Sequence, residues 1–473
     1  MRRTSKLNQV TLISESFSKD VYFLGLKKLV CENYFYENRI IKTIFALYLS
    51  KKASIMLVQV SIRNYKVFKE EVKLTMFASN YDKSTREQEN VFEVPKFGLR
   101  LLKSAVIYGA NASGKTKLMD AVYFMKDFIL NSSKESQQGE QIETEPFRLN
   151  TATSTQSSMF EVVFIHEGEM YRYGFEVTPK EVVSEWLYHR PNTKEVEIFF
   201  REGQQFNIHG RSFKKGVLLA KENMVRENAL LLSVAAQFND KLSQGVLTWF
   251  EKFRQHSGLF EGDLMNETME CVKNPSFKSQ VLSMLKLADT SIEDFEIRDN
   301  EELRELDELP KVLTKFLKNA IAETGILDLF EIRTHHTVFN EKNQKKSVVE
   351  FKMGEEESSG TAKFFALSGT VINALNKGEI IVIDELDSKI HPNLVEHIVQ
   401  LFNSQTTNPN NAQIIFNTHD TNLLGANLFR RDQVWFVEKD HFGAASLYSL
   451  ASFKTDEGGR KTDNFEEKYL QGR

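Results

Sequence analysis

Two short stretches lie far apart in the chain, and each implies the other. The first, VIYGANASGKTKLMDAV from Val106, is an apolar strand running into a glycine turn and then an amphipathic helix. The second, GEIIVIDELDSKIHP from Gly378, places Asp384 and Glu385 directly after four β-branched residues, Ile380 to Ile383. Lys115 and Asp384 stand 269 positions apart in a chain of 473 residues. In GANASGKT, Gly109, Gly114, Lys115 and Thr116 fill the defining places of GxxxxGK[ST]. Glycines let such a backbone curl until successive N–H groups face one concavity at a helix N-terminus, a nest for phosphate. Lys115 then reaches the β- and γ-phosphates, and Thr116 sets its hydroxyl on Mg²⁺. Asn111, Ala112 and Ser113 complete the loop, with Asn111 and Ser113 serving its geometry.

A buried parallel strand reads as a continuous apolar run, and α/β sheets place their ligands at its carboxyl end. Asp384 is therefore expected to hold Mg²⁺, directly or through water. Glu385, aimed differently, is expected to orient or polarise the attacking water. Taken singly, the first motif competes with a glycine turn ending in Lys-Thr by chance, and the second with a solvent-facing acidic strand end. Their joint presence weakens both of those readings.

The totals exclude several classes. A formal net charge of -4 rules out a globally basic nucleic-acid binder, though not a local basic groove. The two cysteines, Cys31 and Cys271, are far apart and form no CxxC, which excludes a disulfide framework or zinc-finger scaffold and fits a cytoplasmic setting. The most apolar run, IIKTIFALYLS from Ile40, contains Lys42 and falls short of the roughly 18 residues of a membrane span. No signal peptide is evident in MRRTSKLNQV.

Residues 1–55 carry ten Lys/Arg against four Asp/Glu and form an extension, either helical or translated from an upstream start. From Met56 the alternation in MLVQVSIRNYKVF marks a strand. Residues 56–220 are expected to form one half of the fold: the phosphate loop and a β lobe, with a hairpin across His166–Gly168. Residues 221–330 read as mostly helical, in ENALLLSVAAQF, GVLTWFEKFRQ, SFKSQVLSMLKLAD and LPKVLTKFLKNAIAETG. Residues 331–473 supply the other half. Trp249, Phe250, Lys252 and Arg254 lie at helical spacing, which favours core packing over partner contact.

GANASGKT, ESSGT, IIVIDELDSKIHP and IIFNTHDTNLL together resemble ABC-type ATPase heads related to the structural-maintenance-of-chromosomes (SMC) and RecF proteins. More narrowly, they resemble stand-alone bacterial AAA-family ATPases of restriction-linked, abortive-infection and other phage-defence systems. The resemblance covers about Met56 to Arg473. It implies an α/β P-loop head with a mixed β lobe and a parallel-sheet lobe, and a helical insertion between the two halves. It also implies ATP and Mg²⁺ as cofactors, and ATP sandwiched between two subunits as a dimer or higher homo-oligomer. Ser358 and Gly360 match the signature residues that bind the γ-phosphate of the partner's ATP. His419 matches the switch histidine. A rival signature, ALSGT at Ala366–Thr370, begins too close to Asp384: Ser368 precedes it by 16 positions and Ser358 by 26.

There are departures from the family pattern. His391 stands where the aspartate of the interface-crossing loop is usual. No glutamine loop is evident: Gln137, Gln138 and Gln141 sit in a polar stretch, and Phe147 is the more family-like feature. The long coiled coil of the chromosome-maintenance relatives is missing. The resemblance favours an ATP-hydrolysing sensor or regulator of a separately encoded effector, such as a Toprim-type nuclease, in anti-phage defence. The alternative is a RecF-like repair or replication ATPase with DNA as its partner. A fused nuclease is disfavoured, because only 54 residues follow His419 and they contain no DxD pair.

Overall fold

A computed structural model describes residues 55–452 apart from 135, 136, 138, 259–261 and 300–329. The extension expected over 1–55, apart from Ile55, and the helix expected over LPKVLTKFLKNAIAETG lie outside the described residues. The chain opens with β1 (Ile55–Arg63) and β2 (Val72–Thr75), then a ribbon of β3 (Val91–Val94) and β4 (Leu99–Leu102). The glycine motif follows as β5 (Ser104–Tyr108) and α1 (Lys115–Asn131). Next comes a meander of β6 (Ser158–His166), β7 (Glu169–Val177), β8 (Val182–Arg190), β9 (Val196–Glu202) and β10 (Gln205–Ile208). With β1 and β2 these strands make a seven-stranded antiparallel sheet, ordered β10-β9-β8-β7-β6-β1-β2. Its β6–β7 hairpin turns at Glu167 (φ 51°) and Gly168 (φ 75°), the pair of left-handed residues that a twisted two-residue turn needs.

The middle of the chain runs through α2 (Lys214–Lys221), α3 (Leu231–Gln237) and α4 (Lys241–Lys252). Then come β11 (Phe253–Ser257), α5 (Gly262–Val272), α6 (Pro275–Ala288) and β12 (Ile292–Asp299). β13 (Phe330–Phe339) and β14 (Lys345–Lys352) pair with β12 as a three-stranded antiparallel sheet. Last come α7 (Ser359–Lys377), β15 (Ile380–Asp384), α8 (Pro392–Phe402), β16 (Gln413–Asn417), β17 (Val434–Lys439) and β18 (Ala445–Ser449).

The second large sheet has the order β11-β15-β16-β5-β17-β18. It is parallel throughout except for the β17–β18 pair. Both faces are buried, and each face belongs to a different core. Ala105, Ile107, Ile380, Val382 and Ile415 pack with α1 and the antiparallel sheet. Val106, Tyr108, Ile381, Ile383, Ile414 and Phe416 pack instead with α5, α6, α7 and α8. Alternate residues of one strand thus serve two cores, which is why IIVID carries no polar residue before its tip.

The segment read as a helical insertion is less separable than its sequence suggests. GVLTWFEKFRQ is a helix only as far as Lys252, and then it becomes β11, the edge strand beside β15. α4 is capped by the Asp240 carboxylate, which accepts from the Ser243 N–H. Its Trp249 and Phe250 are fully buried and pack on Phe164, with ring centroids 4.5 and 5.9 Å away. Arg254 pairs with Glu379 at 2.7 Å and with Glu267, so these contacts are internal. No described helix is long and apolar enough to cross a membrane.

Amide side chains lock the amino-terminal edge of the parallel sheet. Gln413 accepts from the Leu57 N–H at 2.7 Å and donates to the Leu57 and Leu102 carbonyls, joining the two large sheets. Gln433 donates to the Ser104 hydroxyl at 2.7 Å and accepts from Asn90 at 2.6 Å. Lys103, beside them, is fully buried, and its ammonium has no hydrogen-bond partner among the described residues. Burial pushes its pKa from 10.5 down to about 8, against an opposing pull from Glu89. The unfolded chain therefore binds more protons than the native one between those values, and stability rises with pH across that window. Lys103→Met should abolish the rise and stabilise the protein at pH 7 by about 2 kcal/mol, measured by urea unfolding at pH 7 and pH 9.5. A destabilised variant at pH 7 would contradict this account.

Candidate functional site

The site forms where β5, β16 and β15 end together. The pairings Phe416↔Val106, Asn417↔Ile107 and Ile383↔Phe416 align the three carboxyl ends. Beyond β5, the loop 109–116 alternates its backbone handedness, with Ala112 at φ 62° and Gly114 at φ 120°. Its Ser113 N–H closes onto the Ala110 carbonyl at 3.1 Å. A Cβ at Gly109 would lie 2.5 Å from the Ser113 hydroxyl and would also overlap the Val437 carbonyl, so only glycine fits. The Ser113 hydroxyl itself is buried without a partner among the described residues.

Lys115 is the first residue of α1 and is buried, with its ammonium arched over its own loop to donate to the Gly109 carbonyl at 2.7 Å. Burial lowers its pKa, while the Glu385, Asp384 and Asp387 carboxylates pull the other way. One ammonium therefore senses all three acids, across 269 positions of sequence from Asp384. Asp384 shows the complementary state. Burial raises its pKa, and hydrogen bonds from Asn417 and from the Thr116 hydroxyl oppose the rise. Thr116 and Asp384 thus bring a hydroxyl and a carboxylate to one point, the hard oxygen donors that Mg²⁺ prefers. The residues fit that ion: Thr116 and Asp384 would hold it.

Glu385 follows in the left-handed region at φ 55°, where a non-glycine residue is uncommon. The bend turns it out of the strand direction, away from the line of Asp384. Asn417, fully buried at the tip of β16, holds that bend from beneath. It donates to the Asp384 carboxylate and accepts from the Glu385 N–H at 2.5 Å, and its carbonyl takes the Leu386 N–H at 3.3 Å. His419, two residues on, is exposed, and its N–H donates to the Asp387 carboxylate at 3.1 Å. The other Asp387 oxygen is buried without a hydrogen-bond partner among the described residues.

Ser358 and Gly360 stand at the start of α7. Ser358 is the N-cap of α7, its hydroxyl accepting from the Thr361 N–H at 3.0 Å. Among the described residues, no hydrogen bond joins Ser358 or Gly360 to the loop 109–116 of the same chain. A Cβ at Gly360 would instead meet the Lys389 carbonyl at 2.8 Å, at the far end of the turn that Glu385 begins.

Residues 104–425 match the family described as "AAA domain, putative AbiEii toxin, Type IV TA system". The chain belongs to this family. Among solved structures it is similar to the SMC head domain from Thermotoga maritima, with 14% identity and a TM-score of 0.37 over 83% of this chain and 98% of that one. An SmcHead bound to the C-winged helix domain of ScpA gives 14% identity and a TM-score of 0.39, covering 85% and 99%. An Smc head with an extended coiled coil, bound to the C-terminal domain of ScpA derived from Pyrococcus furiosus, gives 13% and 0.37, covering 84% and 96%. No curated protein matches.

In this AAA-family P-loop ATPase, the rival signature ALSGT is buried inside α7. Ser368 donates to the Phe365 carbonyl at 2.7 Å, and the Gly369 N–H donates to the Thr268 hydroxyl at 3.1 Å. His391 is the N-cap of α8, accepting from the Asn393 N–H at 3.2 Å. Phe147 is buried and its N–H donates to Asn64 at 3.1 Å, while Gln137 and Gln141 are exposed and Gln138 lies outside the described residues. Sequence reasoning missed Asn417, although it sits in the NTHD run. Asn417→Ala strips partners from a buried carboxylate and a backbone N–H. It should destabilise the protein by about 1–3 kcal/mol in urea unfolding. Wild-type stability in that variant would remove Asn417 from its place as the clamp.

Proposed function

We propose that this protein is an Mg²⁺-dependent ATPase that self-associates around its nucleotide and acts as a sensor or regulator of a separately encoded effector, a nuclease by preference, in bacterial anti-phage defence. One observation carries the enzymatic part: Lys115, Thr116, Asp384 and Glu385 share one electrostatic neighbourhood at the carboxyl edge of a parallel sheet. The family description, with its toxin and toxin–antitoxin terms, supports the defence setting.

The chemistry follows from the residues. Loop N–H groups and the Lys115 ammonium bind the phosphates of ATP. Thr116 and Asp384 would hold Mg²⁺, which supplies charge neutralisation on the phosphate oxygens when bound. Glu385 accepts a proton from the water whose oxygen bonds to the γ-phosphorus. The bond to the β–γ bridging oxygen breaks, leaving ADP and phosphate. His419, anchored to Asp387 through its backbone, faces the γ-phosphate. Ser358 and Gly360, at the start of α7, would serve the nucleotide of a second subunit, as their match to the signature residues implies.

Glu385→Gln keeps the shape but cannot take the proton. It should lower the hydrolysis rate by roughly 10²-fold or more and hold the ATP-bound oligomer together, as read by phosphate release and light scattering. Undiminished hydrolysis would rule out this assignment of the site. Ser358→Arg should leave fluorescent-ATP binding to the single chain intact while abolishing ATP-dependent self-association. If that variant associates normally, Ser358 does not face a second subunit's nucleotide.

A further inference from the structure

We propose that Lys363 is a positioning residue that ties the signature helix α7 to the acidic tip of β15 within one chain. The inference rests on the roles given above to Asp384–Glu385 and to Ser358–Gly360. It adds a physical link between them that neither motif contains.

Lys363 lies one turn into α7 and is 0% exposed. An ammonium in such surroundings needs acceptors, since burial without them is strongly unfavourable. Its Nζ donates to the carbonyl of Gly258, the residue that follows β11. Gly258 in turn touches the catalytic strand. The β11–β15 ladder ends at Ser257↔Asp384, and one step on the Gly258 N–H donates to the Asp384 carbonyl at 2.6 Å. Contact is so close that a Cβ at Gly258 would lie 2.5 Å from the Asp384 carbonyl and would overlap that of Glu385. Gly258 is therefore a backbone spacer with the Lys363 ammonium on one side and the two catalytic residues on the other.

The same helix touches the opposite end of that turn. Gly360 abuts the Lys389 carbonyl, and Glu385 and Lys389 are both held in left-handed backbone, at φ 55° and 63°. Non-glycine residues in such backbone persist only where their surroundings over-determine them, so the shape of this turn is set by what packs at its two ends. The residue before the signature serine is braced from outside. Glu357 accepts from the His336 ring at 2.7 Å and from the Thr334 hydroxyl, both on β13. The first turns of α7 are thus gripped between β13 and the β15 tip, and Lys363 is the side chain that makes the inner grip. Its consequence is that the geometry of the chain's own Asp384–Glu385 pair and the attitude of its Ser358–Gly360 loop are set together.

Lys363→Met removes the donor while keeping an unbranched chain of similar length. It leaves the loop 109–116 untouched, so fluorescent-ATP binding should stay within two-fold of wild type. The kcat for ATP hydrolysis should fall at least ten-fold with KM changed by less than two-fold. Preserved ATP binding serves as the folding control; should Lys363→Met lose it, Lys363→Gln, too short to reach the carbonyl, takes its place with the same expectation. Gly258→Ala is expected to lower kcat in the same way, because its methyl displaces the Asp384 and Glu385 carbonyls. A kcat equal to wild type in a lysine variant that binds ATP overturns the inference. The parent assignment fails separately, and visibly, if the wild-type protein neither hydrolyses ATP nor self-associates with it.

Discussion

Everything at the site depends on a parallel hydrogen-bond ladder in which β16 stands between β5 and β15. Parallel strands share a direction, so whatever follows their last residues is delivered to one edge. The phosphate loop, the two carboxylates and the Asn417–His419 run each follow one of these three strands. The 269 positions between Lys115 and Asp384 matter little for this meeting, since the entropy of closing a loop grows only slowly with its length. What matters is that alternate residues of each strand lock into two separate cores, which forbids slippage of register.

The two edges of that sheet are chemically opposite. The amino edge is pinned by neutral amides, Gln413, Gln433 and Asn90, whose partners are backbone groups, hydroxyls and one another. The carboxyl edge gathers Asp384, Glu385 and Asp387 around one buried ammonium. Neutral amides thus surround one buried lysine, Lys103, at the amino edge, and the acidic charge gathers at the other. Asn417 is the exception that carries an amide into the acidic edge. There it does mechanical work, bonding the side chain of one acid and the backbone of the next.

Much of this was legible because several local signals agreed. GANASGKT has the right residues and is flanked by a strand and a helix, and IIVIDE is apolar to its last position before the acids. The placing of ALSGT inside a helix was expected from the resemblance and from its spacing to Asp384, and it lies within α7. Two features stayed hidden for physical reasons. FRQHS is polar because β11 is an edge strand with only Phe253 fully buried, and it continues the helical pattern of the preceding residues without a break. Asn417 and Lys363 act through single side chains on partners remote in sequence, and no periodicity encodes such contacts. No glutamine loop could be read among Gln137, Gln138 and Gln141 for a related reason: a polar stretch has no pattern from which a function can be read.

The strand order has an evolutionary reach. Because β11 comes from the middle of the chain, the nucleotide sheet is stitched from three separate regions of sequence rather than two halves flanking a spacer. A deletion spanning 221–330 would bare the flank of β15 and leave a sticky, unpaired border in place of a trimmed enzyme. A shorter chain that keeps this sheet would have to retain Phe253–Ser257 together with its buried flanks, Trp249 and Phe250 before it and Gly258 after it.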